Sequence, residues 1–281
     1  MMPVELIKPP VLLIHGMWGT DEAMFELKAE FEQQGYSVEA LCLPMHKPKA
    51  SYTNADKNAL AQTSLEDYVN FIIAKVDNLK VPPILVGHSM GGVLAQLVAT
   101  RVHVNKLVLI SSAAPGGINS WSWSMIRTFG RNLLLFPLWK KVTEIGLANV
   151  QYGIANTQSI DVQRFIADNA TYESGRATFQ IGIGGMFPNG FARVDAKRIQ
   201  CPMLIVGGTA DRITPITIQR AIAKKYGAIA KLVEIPGACH WTVGGSHLKA
   251  VSTEIFTWLS KPFMVENAQI STLPPKASGG N

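Results

Sequence analysis

At 281 residues the chain is long enough to bury one large core, or one core carrying an inserted lobe. Hydrophobic residues make up 47% of it and charged residues only 16%, which excludes a disordered or coiled-coil chain and favours a substantial interior. The net charge of +6 is spread over scattered pairs such as Lys140-Lys141, Lys197-Arg198 and Lys224-Lys225, a pattern of solvated faces rather than a nucleic-acid groove.

The first ten residues carry Glu5, Lys8 and prolines where a signal peptide needs an apolar stretch. No run of eighteen uncharged apolar residues follows, so no stable membrane insertion is expected. Three cysteines, Cys42, Cys201 and Cys239, are an odd number without metal-ligand spacing. Free thiols in a reducing cytoplasm are the expectation, with Cys239 read as a packing residue.

Val11-Leu12-Leu13-Ile14 is an aliphatic run without polar alternation, as in a strand buried on both faces. After His15-Gly16-Met17-Trp18-Gly19, Thr20 and Asp21 offer an N-cap for a helix over 22–34, which Gly35 closes. A strand is expected over 36–43, and a polar surface loop with room for a short helical turn over 45–63. Ser64, followed by Glu66 and Asp67, caps a helix running to about Leu79. The next apolar run, Pro82 to Val86, passes through Gly87-His88-Ser89-Met90-Gly91-Gly92 into the helical spacing of Val93, Leu94, Leu97 and Val98. Strands follow over 106–110, 203–206 and 231–235, with helices over 215–226 and 246–259. Strands separated by helices of this length imply βαβ crossovers and a mainly parallel α/β sheet. Between 113 and 195 the alternation gives way to an aromatic, mostly helical stretch. The expected organisation is therefore a core over 1–112 and 196–261, an inserted cap over 113–195 and a loose tail over 262–281. Gly182, Gly184, Gly185 and Gly190 suggest a hinge where the cap returns to the core.

Gly87-His88-Ser89-Met90-Gly91 fits G-x-S-x-G, in which a serine tops a strained strand-to-helix turn and small neighbours avoid a clash. Together with His15-Gly16 upstream, it resembles the α/β-hydrolase superfamily, and the likeness runs from about Val11 to Leu259. The resemblance implies an α/β-hydrolase fold and a serine hydrolase in which the acid and the histidine follow the nucleophile along the chain. Asp211 is the sole carboxylate of the loop after the 203–206 strand, and His240 follows the 231–235 strand. On this reading Ser89, Asp211 and His240 are catalytic. The amides of Met17 and Met90 would hold the oxyanion, with His15 keeping its loop in place.

Competing readings stand beside these. Asp211 would also serve as a cap for the following helix, and His247 is a rival to His240. His88 reads as packing, and His46 and His103 as exposed. Trp18, Trp121, Trp123, Phe136, Trp139 and Trp241 are candidates for substrate contact, though the cap aromatics would equally serve as glue between cap and core. Arg127 and Arg131 would greet an anionic group or face water. A nucleophilic serine argues against branches with aspartate at the corner. With no P-loop, G-x-G-x-x-G or H-E-x-x-H, no nucleotide, other cofactor or metal is expected. The expected partner is a small-molecule ester with an apolar acyl or alcohol part. A thioester, a lactone, acyl transfer and a non-catalytic ligand receptor remain as alternatives.

Overall fold

The computed structural model describes residues 8–184 and 187–261. Its frame is a six-stranded, fully parallel sheet built from β1 (Val11–Ile14), β2 (Val38–Leu41), β3 (Ile84–His88), β4 (Lys106–Ile110), β7 (Met203–Gly208) and β8 (Ala230–Ile235). The strand order is β2-β1-β3-β4-β7-β8. Because the chain leaves β1 toward one edge and returns on its other side as β3, the sheet has a switch point between them. Loops diverge there and leave a crevice beyond the carboxyl ends of the strands.

The side-chain alternation of the strands explains the two helical layers. Leu12, Ile14, Leu85, Leu107, Leu109 and Ile205 pack toward α3 (Leu65–Asp77), α4 (Met90–Ala99) and α9 (Ile216–Tyr226). Their neighbours Val11, Leu13, Val86, Val108, Leu204 and Val206 pack toward α1 (Phe25–Gln33) and α10 (Leu248–Leu259). Both faces are therefore dry, which is why the central strands read as unbroken aliphatic runs.

Several expected boundaries shift. The helix expected over 22–34 divides into a 3-10 turn, Asp21–Met24, and α1, and the Thr20 side chain makes no cap hydrogen bond. The strand expected over 36–43 shortens to β2. The stretch read as a loop over 45–63 contains α2 (Asn54–Gln62), started by a reciprocal capping box between Thr53 and Asp56. Ser64 does cap α3, accepting from the Asp67 amide while Asp67 accepts from the Ser64 amide at 2.8 Å. Ser64→Ala is expected to lower stability by about 1 kcal/mol. The check is a lower urea midpoint at unchanged slope.

The segment 113–195 adds no strand to the main sheet. It contains α5 (Trp123–Phe129), a short α6 (Leu147–Asn149) running into a π turn, α7 (Ile160–Asp168) and α8 (Gly175–Gly184). A two-residue ribbon joins β5 (Val142–Thr143) to β6 (Glu173–Ser174). Gly182 and Gly184 lie inside α8 rather than in a return loop; Gly185 lies outside the described residues, as does the tail over 262–281. Among the described residues no helix is long and apolar enough to cross a membrane, and no group of three His, Cys, Asp or Glu side chains is placed to hold a metal.

Candidate active site

Ser89 stands at the switch point, between the end of β3 and the start of α4, with φ 54° and ψ −117°. A non-glycine residue in this conformation is strained and is held by its surroundings. The Ser89 amide donates to Ile110 O at 3.0 Å, and its carbonyl accepts from Ala113 N at 2.9 Å. The flanking glycines are needed, though for a reason other than a clash with the serine. A Cβ on Gly87 would stand 2.2 Å from Gly91 O, and one on Gly91 would stand 2.1 Å from Ile14 O. These glycines let α4 begin directly against β1. The residue that approaches the serine itself is Gly16, where a Cβ would lie 2.9 Å from Ser89 Cβ.

Registers of β7 with β8 bring the other two side chains in. Gly208 pairs with Ile235, so the loops after both strands leave the sheet side by side. His240 Nδ1 lies 2.8 Å from Asp211 Oδ2, and His240 Nε2 lies 2.9 Å from Ser89 Oγ. The carboxylate accepts the Nδ1–H, which leaves the Nε2 lone pair for the serine hydroxyl to donate to. All three groups are buried, at 9% exposure for Ser89, 5% for Asp211 and 3% for His240.

Asp211 also accepts from the amides of Ile213 at 2.8 Å and Thr214 at 2.9 Å, through Oδ1. Burial pushes its pKa up, but the His240 charge and these donors outweigh it and hold the carboxyl below its ordinary range. The helix-cap alternative does not describe it, since the cap position of α9 is Pro215. Thr214, which sequence reasoning missed, places its hydroxyl 2.9 Å from Asp211 Oδ2, 2.9 Å from Ser111 O and 3.2 Å from His240 Nδ1. The signal was available: a threonine three residues after a loop aspartate is a turn-forming pair.

The remaining histidines separate cleanly. His88 is pushed down to about 3 by burial and by the neighbouring His240 charge, so it is neutral. Its Nε2–H donates to the His240 carbonyl at 2.9 Å, tying the loop that carries the imidazole to the nucleophile turn. His15, also pushed down to about 3 by burial, accepts from the Leu43 amide at 3.2 Å and so braces its own loop. His247 lies at the start of α10, its Nε2 2.8 Å from Thr157 Oγ1. His103 is exposed. His46, expected at the surface, is instead buried, with Nε2 3.1 Å from Glu173 Oε2. Cys239 is fully buried beside His240; burial raises its thiol pKa, which makes it inert.

Two cavities meet at Ser89. The larger, about 550 Å³, is walled by Trp121, Met125, Leu133, Trp139, Phe179 and Ile181 and also touches Met90 and Phe136. The smaller, about 70 Å³, is walled by Trp18, Ile145, Ile154, Ile166, His240 and Trp241. Five of the six aromatic residues expected to contact substrate thus line a cavity. Trp123 does not: it is 78% exposed, because α5 begins there and directs Met125 inward instead. Phe136 sits only at the rim, at 84% exposure. Arg127 lines neither cavity and stacks on Tyr152, 4.0 Å from its ring centroid. The Met17 side chain lines both cavities, and the Met90 amide, first in α4, has no acceptor within its own helix.

The chain is similar to known proteins in sequence and in fold. Over 240 residues, 83% of this chain and 87% of the relative, the sequence is 26% identical to a pimeloyl-[acyl-carrier protein] methyl ester esterase of Chromobacterium violaceum. Over 155 residues, 52% of this chain and 48% of the relative, it is 28% identical to a monoglyceride lipase of Mus musculus. The fold resembles a monoacylglycerol lipase of Paleococcus ferrophilus, with a TM-score of 0.66 at 21% identity over 90% of this chain and 96% of that one. It also resembles a methylesterase of Arabidopsis, with a TM-score of 0.67 at 12% identity over 90% and 99%. A sequence profile described as "Alpha/beta hydrolase family" matches residues 11–252, and the chain belongs to that family.

Proposed function

We propose that the protein is a serine hydrolase that cleaves carboxylic esters with an apolar acyl part through an acyl-enzyme on Ser89. The observation that carries this reading is the buried relay from Ser89 Oγ to His240 Nε2 at 2.9 Å and from Nδ1 to Asp211 at 2.8 Å, opening onto an apolar cavity of about 550 Å³. The names of the relatives, a methyl ester esterase and a monoglyceride lipase, support the same chemistry.

The reaction follows from the placement. Ser89 Oγ attacks the ester carbonyl while His240 Nε2 takes its proton, and ionised Asp211 stabilises the imidazolium that forms. The Met17 and Met90 amides receive the developing oxyanion, where one such donor is worth ~3 kcal/mol of barrier. His240 then gives the proton to the leaving alcohol oxygen, and water repeats the sequence to release the acid. The 113–195 segment acts as the cap, and three free thiols, Cys42, Cys201 and Cys239, fit the reducing cytoplasm as its setting.

A fluorophosphonate probe is expected to label the wild-type protein at Ser89, with the modified peptide identified by mass spectrometry, and to leave Ser89→Ala unlabelled. A folded wild-type chain that stays unlabelled and leaves p-nitrophenyl esters intact overturns the reading.

A further inference from the structure

We infer that Thr214 is a positioning residue: its hydroxyl fixes Oδ2 of Asp211 against His240 and so raises kcat, without acting on the substrate itself. This rests on the ester-cleaving reading above and deepens it, adding a side chain through which the carboxylate does its part.

The need arises from the carboxylate's own geometry. Asp211 Oδ1 accepts from two amides, Ile213 N at 2.8 Å and Thr214 N at 2.9 Å, and is anchored by them. Those two bonds leave the carboxyl plane free to tilt about the anchored oxygen, because the terminal torsion of an aspartate is broad. Oδ2 is the atom that accepts the His240 Nδ1–H, at 2.8 Å, so any tilt moves the imidazole's support. Thr214 Oγ1 stands 2.9 Å from Oδ2 and removes that freedom, while its lone pairs face His240 Nδ1–H at 3.2 Å.

The hydroxyl is itself held from the nucleophile's side. Thr214 Oγ1 lies 2.9 Å from the carbonyl of Ser111, the residue after β4. Ser111 is fully buried with a left-handed backbone, φ 45°, which a serine keeps only while its partners hold it. Its neighbours are the ones that hold Ser89: Ile110 O accepts from the Ser89 amide, and Ala113 N donates to the Ser89 carbonyl. Ser111 Oγ also lies 3.3 Å from Thr242 Oγ1, in the loop that carries His240. The end of β4 thus touches the loops of both acid and base, and Thr214 is its contact on the acid. The single hydroxyl proton has two acceptors, Ser111 O and Asp211 Oδ2, and Oγ1 stays between them as it turns. Threonine suits the place. Its β-branching limits χ1, and Pro215, the cap of α9, keeps its backbone out of the helix. At 4% exposure, water does not replace the hydroxyl when it is removed.

The test is a double-variant cycle on a p-nitrophenyl ester. Thr214→Val keeps the shape of the side chain, which lines the large cavity, and removes only the hydroxyl. It is expected to lower kcat about 10- to 100-fold, the usual worth of a hydrogen bond to a charged group. KM is expected to stay within about 3-fold of wild type, since no substrate contact is lost. Thr214→Ser, which returns the hydroxyl without the γ-methyl, is expected to recover most of the loss. In the Asp211→Asn background the same Thr214→Val change is expected to cost about 3-fold or less, because a residue that acts through the carboxylate is coupled to it. A threonine that only supports the fold gives the same fold loss in both backgrounds. That result overturns the proposal, as does an unchanged kcat or a loss confined to KM. Should the valine chain not fold, Thr214→Cys, similar in size but a weak donor, takes its place with the same expected and overturning outcomes. Fluorophosphonate labelling of Ser89 runs in parallel. A labelled, ester-cleaving wild type with equal losses in both backgrounds loses only the role of Thr214, whereas an unlabelled one loses the ester-cleaving reading itself.

Discussion

Exchanging Ser89 for alanine is expected to reduce kcat/KM on a p-nitrophenyl ester by about 100,000-fold or more, with circular dichroism and urea midpoint close to wild type. The hydroxyl is the group that His240 Nε2 faces at 2.9 Å, and of the four residues shared by the two cavities, Met17, Ser89, Phe129 and Ile213, it is the one that carries a nucleophile. His240→Ala is expected to cost nearly as much, and the double variant little more than either alone, because the two side chains act as one unit. Asp211→Asn is the sharper measurement. The amide keeps the size of the carboxylate and can still accept from the Ile213 and Thr214 amides, yet it brings no negative charge to the imidazolium and can turn its NH2 toward Nδ1. A fall in kcat of ~10,000-fold is expected, with KM little altered. Retention of most activity in Asp211→Asn would remove the carboxylate from the mechanism.

The second large effect lies outside the catalytic crevice. Glu173→Gln is expected to destabilise the fold by about 3 kcal/mol, since breaking a buried ion pair leaves its partner uncompensated. At ~2–4 °C per kcal/mol for a chain of this size, the melting temperature should fall by roughly 6–12 °C. Both side chains of the pair are fully buried, Tyr68 Oη donates to Glu173 Oε1 at 2.8 Å, and the Ser174 amide donates to the same oxygen at 2.7 Å. His46 Nδ1 faces Pro44 O at 3.2 Å, so both ring nitrogens face acceptors and the ring is an imidazolium.

The pH dependence follows from opposite shifts. Burial disfavours the charged form of His46, but the Glu173 carboxylate overcomes this and holds the histidine above its ordinary 6.5. Burial likewise raises Glu173, but His46, Tyr68 and the Ser174 amide bring it below its ordinary 4.5. The histidine's contribution is complete below about 6.5 and is lost as pH rises through its raised folded value. The glutamate's contribution is complete above about 4.5 and is lost as pH falls through its lowered one. The pair therefore supports the fold most between these two values. Urea midpoints across pH 5–9 should decline toward the alkaline end in the wild type and flatten in Glu173→Gln.

Most of the frame was readable from short stretches because its physics is local. Val11–Ile14, Lys106–Ile110 and the residues after Cys201 are aliphatic runs of a length only a doubly covered strand uses, and they form β1, β4 and β7. The three side chains at Ser89 were legible because each lies on a loop directly after a strand, and strand ends in a parallel sheet converge. Helix α2 was legible only as room for a short helical turn, because it buries only Leu60 and Ala61 and its apolar pattern is faint; Thr53 and Asp56, spaced as a capping box, were the sign of a full helix. Glu173 was not legible at all: its partner His46 lies 127 residues away, and no local spacing encodes a contact across that distance. Trp121 and Trp123 look alike in sequence, yet only the first lines a cavity, because the turn into α5 falls between them.

Trp18 has a consequence for anyone recombining such enzymes. Its backbone is left-handed, at φ 60°, its indole donates to Thr143 Oγ1 at 3.1 Å, and its carbonyl accepts from the Thr171 amide at 2.8 Å. A bulky residue keeps that costly conformation only while such partners hold it. A chimera that swaps in a foreign lobe for 113–195 without equivalents of Thr143 and Thr171 would release the residue beside Met17. Exchanging 113–195 therefore also means re-engineering the loop that carries Trp18, and replacement segments should be screened for those two threonine positions before their own pocket chemistry is considered.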